Sequence, residues 1–559
     1  MSFEAACAAA TGPDGPFPIV EQEVRGVRVP VFQNAPPSLR HLFAVARTRP
    51  EQDFLVYEDE RWSFGDVMAR VDATAALLVD RYGIEKGDRV AIAMRNYPEF
   101  ITSFAAVVSV GGIAVLMNAW WTREEMDYGL EDSGAKLLVA DEERIERAYP
   151  AMDRLGFRAL SVRAKQAPKG VDRMEDVLSP GAPLPEVEVG PEDDATILYT
   201  SGTTGHPKGA VSTHRAVVNA LVAFACRTAV NRIMYPPEQT PAGGPAHPTS
   251  FILVVPLFHV TGLVPVMMSC FAGGFKLVMM YKWDAARALE LIERERVTQF
   301  VGVPTQSWDL LESPAFAKHD SSSLTNVGGG GAPAPPELVR KIDKGFKRGA
   351  PGIGYGMTET NAYGPGNSGP EYLARPRSTG RTIPIMKIKV ADEDGKEVPR
   401  GEIGEIWFFG PNLIRGYWNK PDATAETIVD GWLRSGDLGR IDEEGFLYVE
   451  DRAKDMVLRG GENVYCAEVE AAIYEHPDVH EAAVFGLPHE RLGEEVACAI
   501  VAKRGQALDT EALREHLAQH IASFKIPSVW EIRDEPLPRN ASGKILKRDI
   551  RDEIVARRG

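Results

Sequence analysis

The sequence predicts an α/β protein in two unequal parts. A large N-terminal domain of α/β sheet subdomains ends in a small β-barrel-like subdomain, and a small α+β domain follows. Three observations carry this. From Leu39 onward, short apolar runs alternate with segments of helical period, which implies parallel sheets covered by helices. After about residue 380 apolar and polar residues alternate, with breaks at Asp394-Gly395 and Gly401, which suggests antiparallel strands. The chain also has 559 residues, too many for one core.

Taken in order, residues 1–38 read as a loosely structured lead-in, because they are rich in Ala, Gly and Pro. Residues 39–451 form the large domain. Within it Arg89 to Met94, Ile113 to Met117 and Ala135 to Ala140 read as strands, and Glu99 to Val110 as a helix. Asp284 to Arg296 has helical spacing, and Val297 to Val303 is strand-like. Ile383 to Val390 and Glu402 to Phe409 are the alternating strands. Residues 452–559 form the small domain, with helices at Glu468 to Tyr474 and Thr510 to His520 and strands at His480 to Phe485 and Glu495 to Val501. The Pro/Gly-rich stretch at 236–248 reads as an exposed, mobile loop.

Composition narrows the function classes. A formal net charge of −16 argues against a nucleic-acid partner. Five scattered cysteines without a Cys-x-x-Cys pair favour a reducing compartment, hence the cytoplasm, and no zinc site. The start lacks the basic residues of a secretory signal, and the end is no peroxisomal tripeptide. Phe251 to Phe275 carries no charged residue, but Pro256, His259, Gly262, Pro265, Gly273 and Gly274 divide it. It reads as a strand, a turn, a buried helix and a second strand, without membrane insertion. A homodimer is left open.

The chemistry-bearing stretch follows the apolar run Thr196 to Thr200. From Tyr199 it reads Tyr-Thr-Ser-Gly-Thr-Thr-Gly-His-Pro-Lys-Gly-Ala210. Glycines let backbone amides approach an anion, and hydroxyls and a lysine add donors and charge, so the loop suits a polyphosphate. The Walker A spacing is absent. The string resembles the phosphate-loop signature of the adenylate-forming superfamily, which holds acyl-CoA synthetases, luciferases and peptide-synthetase adenylation domains. By that resemblance Thr200, Ser201, Gly202, Thr203, Thr204, Gly205 and Lys208 bind the nucleotide's phosphates.

Four further motifs stand in the superfamily's order. Gly354-Tyr-Gly-Met-Thr-Glu-Thr360, preceded by Gly328-Gly-Gly-Gly-Ala-Pro333, is similar to its adenine and Mg²⁺ motif. That implies ATP or AMP binding at Gly330, Gly331, Ala332, Pro333, Tyr355, Gly356 and Met357, with Tyr355 stacked on adenine. Thr358 would touch the α-phosphate and Glu359 hold the metal, a hard oxygen ligand for Mg²⁺. Asp437, in Gly431-Trp-Leu-Arg-Ser-Gly-Asp437, resembles the ribose-binding aspartate, and Arg452 is a candidate ribose ligand. Lys454 matches the hinge about which the superfamily's small domain rotates, so the resemblance makes that domain mobile. Gly460, Gly461 and Glu462 resemble the loop bordering the CoA tunnel. Cys466 stands where the superfamily often has proline. Lys544, in Pro538-Arg-Asn-Ala-Ser-Gly-Lys544, looks like the catalytic lysine, and its Gly-Lys spacing selects it over Lys547. His259 resembles a gate near the acyl pocket. Trp120 and Trp121 read as core packing.

The resemblance covers about residues 39 to 551 and implies a carboxylic acid–CoA ligase. An acid and ATP give acyl-AMP and pyrophosphate, then CoA displaces AMP. ATP, Mg²⁺ and CoA are the implied co-substrates, and a medium- or long-chain fatty acid or similar apolar acid is the implied substrate. The alternatives are an acyl-AMP ligase loading a carrier protein, an aryl-acid CoA ligase, and a nonenzymatic nucleotide-binding regulator. No carrier domain is read after the lysine motif. Retention of both Glu359 and Lys544 argues against the regulator.

Overall fold

Two eight-stranded sheets, mixed but mainly parallel, form the body of the large domain. The computed structural model describes residues 1–200, 207–236, 247–460, 462–541 and 543–558. Expectations for Ser201, Gly202, Thr203, Thr204, Gly205, Gly461, Ser542 and most of the loop at 236–248 lie outside the described residues.

In the first sheet the strands run Gly416–Tyr417, Lys208–Thr213, Asp194–Thr200, Ile113–Leu116, Arg89–Ala93, Leu137–Asp141, Arg158–Val162 and Val171–Arg173. The second runs Gly366–Ser368, Ala350–Gly354, Asn326–Gly330, Gln299–Gly302, Ser250–Leu253, Lys276–Met279, Asp53–Tyr57 and Glu60–Ser63. The inner strands are parallel, and in the first sheet Arg89–Ala93, Ile113–Leu116 and Leu137–Asp141 are buried on both faces, which explains their apolar runs. Asp194–Thr200 then turns back antiparallel on Lys208–Thr213, pairing Thr200 with Lys208. Thr200 and Lys208, at the two ends of the glycine-rich motif, are therefore fixed against each other.

The alternating segments form a five-stranded antiparallel sheet: Lys387–Ala391, Gly404–Phe409, Trp432–Ile441 and Ile428–Val429, with Leu447–Arg452 also on Trp432–Ile441. The small domain has its own five-stranded sheet, centred on Gly493–Ala502. Helices Cys466–Tyr474 and Thr510–Ala518 bury one of its faces and Lys547–Arg558 the other, around cores separate from that of the large domain.

Two readings are corrected. The lead-in is ordered. Ser2 caps a helix at Phe3–Thr11, and a hairpin pairs Ile19–Val24 with Val27–Phe32. Phe3, Ala6, Cys7 and Ala10 are buried, and the guanidinium carbons of Arg381 and Arg227 lie 4.0 and 5.3 Å from the Phe3 ring centre. Alanine and glycine signalled looseness, whereas small side chains are what let this helix pack closely on His214–Met234. Trp120 is 45% exposed, unlike buried Trp121, because an Asn118 side chain caps its amide at 2.9 Å and turns the loop outward.

The uncharged stretch splits much as its breakers imply, into Ser250–Leu253, a π-helix at Gly262–Met268, a short helix at Ser269–Gly273 and Lys276–Met279. Pro265 lies inside the π-helix; it has no N–H to give the α-helical ladder. The one described helix long and apolar enough to cross a membrane is His214–Met234. Its residues Val217, Val218, Ala220, Leu221 and Ala223 are buried in the core of the large domain.

Candidate active site

Strand register builds one end of the site. Asp437 on Trp432–Ile441 faces Arg452 directly across the antiparallel pair, and their side chains meet at 3.4 Å. The Tyr355 hydroxyl donates to the other Asp437 oxygen at 2.6 Å. Burial pushes the Asp437 carboxyl up from its usual range, with Arg452 opposing the shift. Tyr355 thus reaches the carboxylate with its hydroxyl, while its ring packs against Phe408, 5.6 Å between centres.

Backbone alone builds the wall beside it. Asn326–Gly330 and Ala350–Gly354 run parallel, and a Cβ at Gly330 would lie 2.5 Å from the Gly354 carbonyl oxygen. A Cβ at Gly329 would lie 1.8 Å from the oxygen of Gly302. These strands must be bare. Gly331 follows at φ 78°, and Ala332 and Pro333 continue the turn at the surface. Gly356 is held by the approach of Ala362 oxygen, 2.4 Å from where its Cβ would stand.

Glu359 sits in a single 3-10 turn, Thr358–Thr360, and is 6% exposed. Thr358 is half-buried at its start, after Met357, whose amide bonds the Thr360 hydroxyl. Two left-handed residues follow, Asn361 at φ 52° and Ala362 at φ 63°. They are fastened by the Ser212 hydroxyl on Asn361 and by paired amides of Asn361 and Asn412 on backbone carbonyls. Such backbone costs energy and recurs at functional sites. The Glu359 carboxylate accepts the Tyr417 hydroxyl at 2.7 Å and, among the described residues, no lysine or arginine pairs with it. Burial raises its pKa. A buried carboxylate short of positive charge suits a divalent cation. Lys208 Nζ lies 5.1 Å from the centre of the Tyr417 ring, so one tyrosine joins Lys208 to the Glu359 carboxylate.

Tyr417 was not among the residues singled out from sequence. Its one signal, Gly416-Tyr417 ahead of a proline helix start, is common. Its place comes from a two-residue edge strand on Lys208–Thr213.

The small domain brings Lys544 to this site. A turn presents it, closed by Asn540 N–H to Lys544 O and Lys544 N–H to the Asn540 side chain, both 2.9 Å. Arg539 anchors the turn through the Gly543 carbonyl and through Glu481, each at 2.7 Å. Gly543 packs on Val303 of the large domain, and a Cβ there would come within 2.9 Å. Lys544 is half-buried near Arg452, Asp455 and Asp437; burial first, then Arg452, push its pKa down to about 8.

Other motif residues lie elsewhere. Lys454 is exposed just after Arg452. Gly460, at φ 61°, donates to the Leu492 carbonyl, and Glu462 is exposed on the adjoining strand. His259 is half-buried before the π-helix; its Nδ1 accepts the Thr261 amide at 3.3 Å, and burial holds its pKa near about 4. Asn96 bonds the Val255 carbonyl and the Leu257 amide, steadying the segment that carries His259.

Asp437, Glu359, Lys208 and, from a second domain, Lys544 meet in one region. The AMP-binding enzyme family matches residues 42–418, and the AMP-binding enzyme C-terminal domain matches residues 468–544. The chain belongs to the AMP-binding enzyme family. The long-chain-fatty-acid–CoA ligase FadD13 of Mycobacterium tuberculosis is 34% identical over 506 residues, spanning 89% of this chain and 94% of the relative. A feruloyl-CoA synthase of Amycolatopsis sp is also 34% identical, over 84% of this chain and 89% of its own. Among solved structures, the o-succinylbenzoate CoA synthetase of Bacillus subtilis with its acyl-adenylate intermediate superposes with TM-score 0.77 at 30% identity, covering 93% of this chain and 99% of that one. ATP-bound MatB from Rhodopseudomonas palustris gives 0.80 at 30% identity, with the same coverage. AMP-forming acid–CoA ligases take ATP, Mg²⁺ and CoA as co-substrates, the set expected from the motifs.

Proposed function

We propose that this chain, an AMP-forming acid–CoA ligase by family, activates carboxylic acids with an apolar tail. The observation that carries the reading is the meeting of Lys544 with Asp437 and Arg452 beside Tyr355 and Glu359. In this reading Asp437, Tyr355 and Arg452 hold the ribose, and the Gly330 strand seats the base. Lys208 and Thr200 border the phosphates, and Lys544 places a cation between the attacking carboxylate and the α-phosphate. Thr358 lies at that phosphate and Glu359 holds Mg²⁺, which neutralises charge on the polyphosphate. Such fixed charges carry most phosphoryl-type chemistry. The small domain then turns about Lys454, and Gly460, Gly461 and Glu462 border the thiol's path.

The apolar tail is supported by the uncharged segments Ser250–Leu253 and the π-helix after His259, with Leu263, Val264, Val266 and Met267 buried. A medium- or long-chain fatty acid suits them. An aryl acid is the second reading, favoured by the equal identity to the feruloyl-CoA synthase. Five buried, unpaired cysteines support a cytoplasmic location, and the buried packing of His214–Met234 supports the absence of membrane insertion. Assembly as a homodimer completes the reading and is open to sedimentation.

The test is incubation with ATP, Mg²⁺ and a panel of fatty and aryl acids, with and without CoA. AMP, pyrophosphate and a thioester are expected with an apolar acid. Pyrophosphate without thioester indicates carrier loading, and neither product across the panel defeats the reading.

A further inference from the structure

The junction between the domains carries a contact that the catalytic motifs do not use. Asp451 is buried near the end of strand Leu447–Arg452, three residues before Lys454. One of its oxygens accepts the Arg452 amide at 2.8 Å. The other accepts the backbone N–H of Cys466, the first residue of helix Cys466–Tyr474. A carboxylate at a helix N-terminus is favoured by the exposed amides and the helix dipole. The Cys466 thiol donates to the Asp455 carbonyl at 3.0 Å. Residue 466 therefore bonds to the chain on both sides of Lys454. Behind it Lys547 pairs with Glu470 at 2.6 Å, leaving the charge of that lysine felt at Asp451.

The two bonds respond differently to a turn at Lys454. Asp455 and Cys466 travel together. Asp451 stays with the large sheet, where Leu438 is its strand partner. Its bond to Cys466 and the approach of Lys544 to Asp437 occur together in this structure. We propose that Asp451 and Cys466 form a clasp that positions the small domain for the adenylation step, so that releasing it is part of the passage to thioester formation. Both are positioning residues, since neither touches the reacting groups. The catalytic consequence rests on the acid–CoA ligase reading, whereas the clasp itself does not.

Proline at 466 is the decisive variant. It has no N–H to give Asp451, yet the first turn of a helix accepts it without strain. Cys466→Ala keeps the N–H and loses only the thiol. Asp451→Ala removes the acceptor. All five native cysteines are buried, so Leu373→Cys and Val555→Cys, at exposed positions in the two domains, take a donor and acceptor dye selectively. Energy transfer should be alike in the labelled parent and Cys466→Ala, and should move to a second population in Cys466→Pro and Asp451→Ala. The rate of pyrophosphate release should fall about tenfold in those two, the scale of one charged hydrogen bond, with thioester formation from supplied acyl adenylate kept or faster. Unchanged transfer in Cys466→Pro overturns the clasp, as does an equal shift in Cys466→Ala or an equal loss of both half-reactions. The dye measurement needs no acid. A parent that releases no pyrophosphate with any acid therefore counts against the proposed activity alone.

Discussion

At the scale of single residues, the site depends on charges kept away from water. Lys544 is the clearest case. Burial and Arg452 lower its pKa to about 8, so the free enzyme loses this cation as pH rises through that value. The kcat/KM for ATP in pyrophosphate release should then fall above about pH 8, because that ratio reports the free enzyme. Lys544→Arg should abolish the fall, whatever its rate, since arginine stays charged. For stability the sign is opposite to that of a paired lysine. The folded chain holds this proton less tightly than the unfolded one, so the lysine's contribution improves as pH climbs from about 8 toward its ordinary value. Tyr417 offers a second check. Tyr417→Phe leaves Glu359 buried with a lost donor, which costs about 1–3 kcal/mol at that carboxylate. Mg²⁺-dependent ATP binding, followed by calorimetry, should weaken by about tenfold or more, with little change in thioester formation from supplied acyl adenylate.

At the scale of elements, the N-terminal helix is structural. Phe3→Ala removes a ring held against Arg227 and Arg381 and should cost ~3 kcal/mol, read as a lower urea midpoint for the large domain. Most elements were legible in the sequence. Buried parallel strands give unbroken apolar runs, as at Arg89–Ala93. The helix at Phe3–Thr11 was not, because Ala-rich composition says nothing about which groove receives it. The π-helix was not, because its wide turn shares the apolar spacing of an ordinary helix. Within the site, linear motifs mark Asp437, Glu359 and Lys544 because each sits on its own short turn or strand. Tyr417 and Arg539 each meet a partner 58 residues away in sequence, Glu359 and Glu481, and no local spacing encodes such a meeting.

At the scale of the whole molecule, one chemical centre is assembled from two independently packed bodies. The large domain supplies the fixed carboxylates and bare glycine edges; the small one supplies a lysine on a tethered turn. Contacts between them include Gly543 on Val303, Ala541 against the large core, His480 near Glu312 at 3.6 Å, and the bond from Asp451 to Cys466. Separate cores on the two sides allow one to swing without unpacking the other. The left-handed pair Asn361 and Ala362 bears on how such a molecule can be made hardier. Ala362→Gly relieves a conformation that an L-residue resists and should raise the melting point through about 1 kcal/mol of relief. The same change frees the backbone beside Glu359, so ATP binding in titrations against Mg²⁺ should loosen as heat resistance improves. Selection for a tougher enzyme and selection for a firmer grip on the metal would pull that one position in opposite directions.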